Sequence, residues 1–191
     1  MTDLPVPPIP LSLAHLPVVA GLAVPWFSPR TPDGRYLFGV IEAGRQRACL
    51  RDRRCQVCGR ALTRPMVLLV RKSDLARRCI SEPPACPPCA AYTIRACPMV
   101  SGRLAHYRAT LRDLGGIADA APDVPARLGA PAESWYEVWL ARYDVIVDPV
   151  TGNLAASFAH TRPLRVRRIG TPPADIPANE DSAPPSAGEP T

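Results

Sequence analysis

Lysine is nearly absent: Lys72 stands alone among 23 basic residues, and the other 22 are arginine. With abundant alanine and proline, this bias looks like the signature of a GC-rich genome, so the arginine total by itself is weak evidence for a ligand. Histidine is scarce too, with three in the chain. The segment between Cys58 and Cys97 contains neither histidine nor asparagine, which argues against a nuclease of the His-Asn-His type, whose chemistry needs a histidine base and a histidine metal ligand. Glu82 and Asp74 alone are thin evidence for a hard cation. No long hydrophobic run is present either: Leu16 to Phe27 is too short to span a bilayer and carries Pro25. Asp3 sits where a secretory signal would be positive. Seven cysteines make an odd number, so a disulfide framework is disfavoured and a soluble, cytoplasmic protein with metal-bound thiolates is expected.

What is present divides the 191 residues unevenly. A hydrophobic fraction of 47% supports one domain with a core, whereas 25 prolines must gather in segments that do not pack. They gather in 5–10, in 122–131 and in 172–190. The organisation expected is a proline-rich lead-in over 1–14, a single α+β domain over 15–170 and a disordered tail over 171–191. Charge is unevenly spread as well. Residues 45–112 hold 15 basic against 3 acidic side chains, a net of +12, and the remainder nets −6.

The basic segment surrounds the most informative stretch. Cys55-Gln56-Val57-Cys58-Gly59 opens it and Cys86-Pro87-Pro88-Cys89 closes it, offering Cys55, Cys58, Cys86 and Cys89 as four soft ligands for one structural zinc ion. Gly59 permits the positive φ of a metal knuckle. Pro65 to Lys72 reads as a strand with Leu75 to Ile80 as its returning partner, and Glu82-Pro83-Pro84 stops the sheet. Pro87 and Pro88 suit the first turn of a helix running to Ala96, which puts Cys86 and Cys89 where free amides favour thiolate. Knuckle, hairpin, then ligand-bearing helix is a treble-clef-like arrangement, and the zinc module is taken as 45–112. Cys49, Cys79 and Cys97 read as small apolar packing residues rather than ligands of a second metal. His106 is expected at the surface, and His15 and His160 look incidental.

Elsewhere, Val18–Phe27 and Tyr36–Ile41 suggest two strands around a turn at 28–34. A short helix is expected over 42–53, and a second over 103–114, with 117–131 a loop or partial linker. Trp135–Val147, Leu154–Phe158 and Leu164–Ile169 read as small antiparallel strands, although Trp135, Tyr136, Trp139, Leu140 and Tyr143 also make a helical stripe up to Arg142.

The motifs Cys55-Gln56-Val57-Cys58-Gly59, Glu82-Pro83-Pro84, Cys86-Pro87-Pro88-Cys89-Ala90 and Ala96-Cys97-Pro98 resemble a group of uncharacterised, zinc-binding actinobacterial and phage-borne proteins. The resemblance covers 25–110. In that group the position of Cys86 is usually histidine, one zinc ligand in place of another. It implies no activity. From the charge, the expected function is nucleic-acid binding by a non-enzymatic accessory protein, with Arg53, Arg54, Arg60, Arg71 and Lys72 on DNA or RNA phosphates and Tyr92 or Tyr107 stacking on bases. The alternative is a protein-interaction module with purely structural zinc, anchored by Trp135 and Trp139.

Overall fold

The computed structural model describes residues 6–110, 114, 116–117 and 124–170. The elements in chain order are β1 (Val18–Val19), β2 (Leu22–Ala23), α1 (Ala43–Arg51), β3 (Met66–Arg71), α2 (Lys72–Arg77), β4 (Cys79–Ile80), α3 (Pro87–Ala96), α4 (Val124–Arg127), β5 (Trp135–Leu140), β6 (Asp144–Val147), β7 (Leu154–Ser157) and β8 (Arg165–Arg168). The fold is α+β with small antiparallel sheets and few helices.

β3 organises the packing. Met66 to Val70 contains no polar side chain and is at most 4% exposed, so both of its faces must be covered. It pairs antiparallel with β5, and β5 pairs with β8, in the register Val67↔Trp139 and Trp139↔Arg165. The two-residue period of a strand then sorts side chains by face. Val67, Leu69 and Trp135 join Cys55, Cys89, Ala90 and Tyr92 in one core. Met66, Leu68, Val70, Val138 and Leu140 join Leu50, Ile80, Tyr143 and Phe158 in the other. The sheet thus separates a metal-proximal core, capped by α3, from a second core closed by α1 and the β4-β7-β6 sheet.

Several local expectations are revised. The expected return strand after β3 is instead helix α2, and β4 pairs with β7 rather than with β3; the only antiparallel contact closing the loop between the cysteine pairs is the bridge Val67↔Ala85. α2 forms because the buried Asp74 accepts from the Arg71 backbone amide and guanidinium, a capping arrangement that hydrophobic spacing cannot report. Val18–Phe27 supplies only the short β1–β2 pair. Beyond it, Trp26 and Phe27 donate backbone hydrogen bonds to Val57 and Gln56, and Tyr36–Ile41 is not a strand. Residues 103–110 form no helix, and residues 111–113 lie outside the described residues. Trp135–Leu140 is strand throughout, because alternate side chains are claimed by the two cores. β6 and β7 make the expected hairpin, whereas β8 joins the other sheet.

The lead-in is partly structured: Leu11–Leu13 forms a 3₁₀ turn with Leu13 fully buried, and Ile9 packs against the same core. Residues 1–5 and the tail 171–191 lie outside the described residues, as do parts of 117–131.

Candidate metal centre

The knuckle is shaped by its glycine. Gly59 has φ +72°, and a Cβ there would stand 2.6 Å from Cδ1 of Trp26, so no larger residue fits between the turn and the indole. The Gly59 amide donates to Cys55 O and the Cys55 amide to Arg60 O, which curls the chain around the two sulfurs. On the other side, Cys86 is the N-cap of α3, Pro87 and Pro88 occupy the first helical positions, and Cys89 follows within the first turn. The bridge from Ala85 to Val67 ties this helix start to β3, and the Gln56 amide, donating to Pro84 O at 3.1 Å, ties it to the knuckle.

These two pieces bring the sulfurs of Cys55, Cys58, Cys86 and Cys89 within 4.8 Å of one another. The separations from Cys86 Sγ are 3.1 Å to Cys89, 3.7 Å to Cys55 and 3.9 Å to Cys58. A tetrahedron with zinc–sulfur bonds of about 2.3 Å has edges of about 3.8 Å, so the four donors fit one ion. Cys55, Cys58 and Cys89 are buried and Cys86 is half-buried. The four cysteines can hold a metal, and an all-sulfur donor set is the kind zinc takes in closed structural sites.

Electrostatics within the cluster divides the sulfurs into two kinds. The hydrogen bond from Cys55, helped by the Arg60 amide, pulls Cys58 down to about 6 against its burial. Cys55 and Cys89 pull Cys86 further, to about 2. Cys55 moves up, chiefly because its proton is shared with Cys58, Cys86 and Cys89. Cys89 also moves up: Cys55 lowers it, but Cys86 and burial outweigh that. The four sulfurs thus compete for shared protons, and a divalent cation is the natural replacement for them. The Cys86 amide also donates to Cys55 Sγ at 3.4 Å, which helps hold that sulfur in place.

The remaining cysteines stand outside this group. Burial pushes Cys49 up to about 12, and it raises Cys79 and Cys97 as well, as expected of packed thiols. His15, read as incidental, hydrogen-bonds through Nε2 to Cys58 O at 3.1 Å. Together with Trp26 it makes the N-terminal segment part of the knuckle's support, which no local motif announced.

The five basic residues singled out for phosphate fall into two places. Arg53, Arg54 and Arg60 are exposed beside the knuckle, where Arg53 lies 4.7 Å above the Tyr143 ring and Arg54 donates to Gly59 O. Arg71 and Lys72 lie at the C-terminal end of β3, about 17 Å of strand from Met66 at the usual rise per residue. Lys72 is exposed. Arg71 is turned inward, with its guanidinium on Asp74 at 2.9 Å, on Glu82 at 2.8 Å and 4.8 Å from the Trp135 ring. The two carboxylates that a hard cation would need are therefore taken up by arginine. Tyr92 is buried and accepts from the Ala23 amide, whereas Tyr107 is half-buried under Arg127. Trp135 is buried and Trp139 half-buried. His106 is exposed.

No family model matches the chain, and neither does any curated protein or solved structure.

Proposed function

We propose that this is a zinc-stabilised accessory protein, without catalysis of its own, that binds nucleic acid through the basic surface flanking the knuckle. The observation that carries the reading is the exposure of Arg53, Arg54 and Arg60 on the chain that closes around Cys55 and Cys58. The metal would fix their backbone, and phosphate contacts of this kind need no base-specific motif. The four-sulfur site supports a structural role, because four thiolate donors alone complete the tetrahedral set of a closed zinc site. Lys72 provides a second, separate contact.

Binding to duplex and to single-stranded DNA across a salt series tests this. Each phosphate neutralised contributes about −0.9 to the slope of log affinity against log salt on duplex. R53Q/R54Q/R60Q should therefore flatten the slope by between about 2 and 3 and weaken binding to every sequence alike. No affinity at 20 mM-scale salt, of order tens of millimolar, would sink the proposal.

A further inference from the structure

β8 is the outer strand of the β3-β5-β8 sheet, and every one of its residues is exposed. The hydrogen-bond phase of the sheet decides which of its backbone groups face outward. The Ile169 amide donates to Trp135 O, so by alternation Arg167 and Arg165 also turn their backbone groups toward β5, and Val166 and Arg168 turn theirs away. The opposite edge keeps the same phase, since Val67 exchanges both of its backbone bonds with Ala85, away from β5. Among the described residues no hydrogen bond reaches the amides or carbonyls of Val166 and Arg168. The edge therefore offers two donors and two acceptors, about 7 Å apart along the strand.

The side chains beside that edge are mostly cationic. Arg165 and Arg167 stand two residues apart on the face that carries α3, along a groove of about 530 Å³ lined also by Ile94, Arg95, Trp139 and Glu137. The buried Glu137 carboxylate is engaged by Nε of Arg167 at 2.6 Å, while the Arg167 side chain stays 56% exposed. Arg95 and Arg165 are exposed as well, so three guanidinium groups meet one carboxylate, an excess of two positive charges. On the other face lie Val166, 46% exposed, and Arg168, whose guanidinium donates to Ser134 Oγ.

These features select among partners. Arginine on an edge strand opposes self-pairing, because against β8 of a second copy arginine would face arginine. A phosphate backbone can accept from the two amides but has nothing to donate to the two carbonyls, and it meets the Glu137 carboxylate. An acidic strand answers every group: its backbone completes the edge, two carboxylates two residues apart stand opposite Arg165 and Arg167, and an apolar residue between them covers Val166.

We propose that the outer edge of β8 is the docking site for an extended, acidic segment of a partner protein, added to the sheet as a further antiparallel strand. It bonds the backbone of Val166 and Arg168 and sets its carboxylates against Arg165 and Arg167. The site is separate from Arg53, Arg54 and Arg60, and does not depend on nucleic-acid binding.

The probe is a capped peptide of alternating glutamate and valine, three of each, titrated onto the zinc-loaded full-length chain. Saturable binding below about 1 mM is expected, with slowed hydrogen exchange at the Val166 and Arg168 amides. Glutamine in place of the glutamates, or R165Q/R167Q in the protein, should weaken binding by between about 2-fold and 30-fold, the range for two cross-strand charge pairs. N-methylation of the valines, whose amides face β8 in antiparallel pairing, should weaken it at least about fivefold, for two lost backbone hydrogen bonds; N-methylation of the glutamates, whose amides face away, should cost less. V166P, a proline at an edge position whose N–H points outward, should also weaken binding while zinc content is unchanged. No saturable binding, equal loss from the two methylations, or an equal loss in R53Q/R54Q/R60Q overturns the assignment. So does displacement of the peptide by duplex DNA, which would make the surface a polyanion site, or a dimer dissolved by V166P, which would give the edge to a second copy.

Discussion

At the scale of single residues the metal centre depends on one glycine and four sulfurs. Gly59→Ala places a Cβ in left-handed backbone, at a cost of about 1–2 kcal/mol, and drives it into the Trp26 ring. A fall in melting temperature larger than the backbone term alone explains is expected. The same substitution at Gly152, which has φ +70° but open space around it, should show the backbone cost only. Cys89→Ser removes a buried ligand from α3. Structural zinc binding is of order 10 kcal/mol in small modules, so the wild type should hold one zinc per chain through dialysis against a weak chelator while the variant holds none and loses its near-UV spectrum. Equal metal content and equal melting in the two proteins would show that the cluster binds no ion.

At the scale of elements, α2 is held by a chain of ion pairs, with Leu75 its apolar contact to the second core. Asp74 bonds Arg71 and Arg77, Arg71 bonds Glu82, and Arg77 bonds Asp148 at 2.6 Å. The Asp74 side chain is 2% exposed, and Asp74→Ala removes one of two carboxylates from each arginine and the cap of α2, leaving Arg71 on Glu82 and Arg77 on Asp148. A loss of about 1.5–3 kcal/mol is expected in denaturant unfolding. Asp148 adds an acid limit. Burial would raise it, but the Val150 amide and Arg77 outweigh burial and hold it below its ordinary value. A carboxylate depressed in the folded state contributes stability above its unfolded value, near 3.9, and loses it as pH falls through the folded value. The urea midpoint should therefore fall on acidification below about pH 4, and Asp148→Asn should remove that part of the slope. The same elements show which parts of the chain were readable in advance. The knuckle, the strand from Met66 and the helix start at Pro87 were legible because glycine, proline and cysteine spacing act locally. α2 was not, since Leu75 and Ile80 suggested a returning strand and the decisive contacts belong to Asp74. Arg71 was read as a phosphate ligand for the same reason: its sequence neighbours show its charge, and only the fold shows Glu82 and Trp135 beside it. The pairing of β3 with β5 could not be read locally, since it joins residues more than sixty positions apart.

At the scale of the whole molecule the exposed arginines beside the knuckle are distinct from those along β8. On the proposed function, surface charge near the knuckle should set the salt dependence of nucleic-acid binding, while R165Q/R167Q in β8 should leave that slope within about 0.5, less than one phosphate contact. The separation of the two cores by β3 has a temporal side. By the time residue 100 has been synthesised, both cysteine pairs and most of the metal-proximal core have been made, so zinc can close the knuckle on a nascent chain. Met66, Leu68 and Val70 then point toward a second core whose other half, Val138 to Phe158, does not yet exist. At ordinary elongation rates that gap lasts roughly 3 to 12 s, and during it β3 offers an uncovered apolar face and an unpaired edge to the crowded interior of the cell.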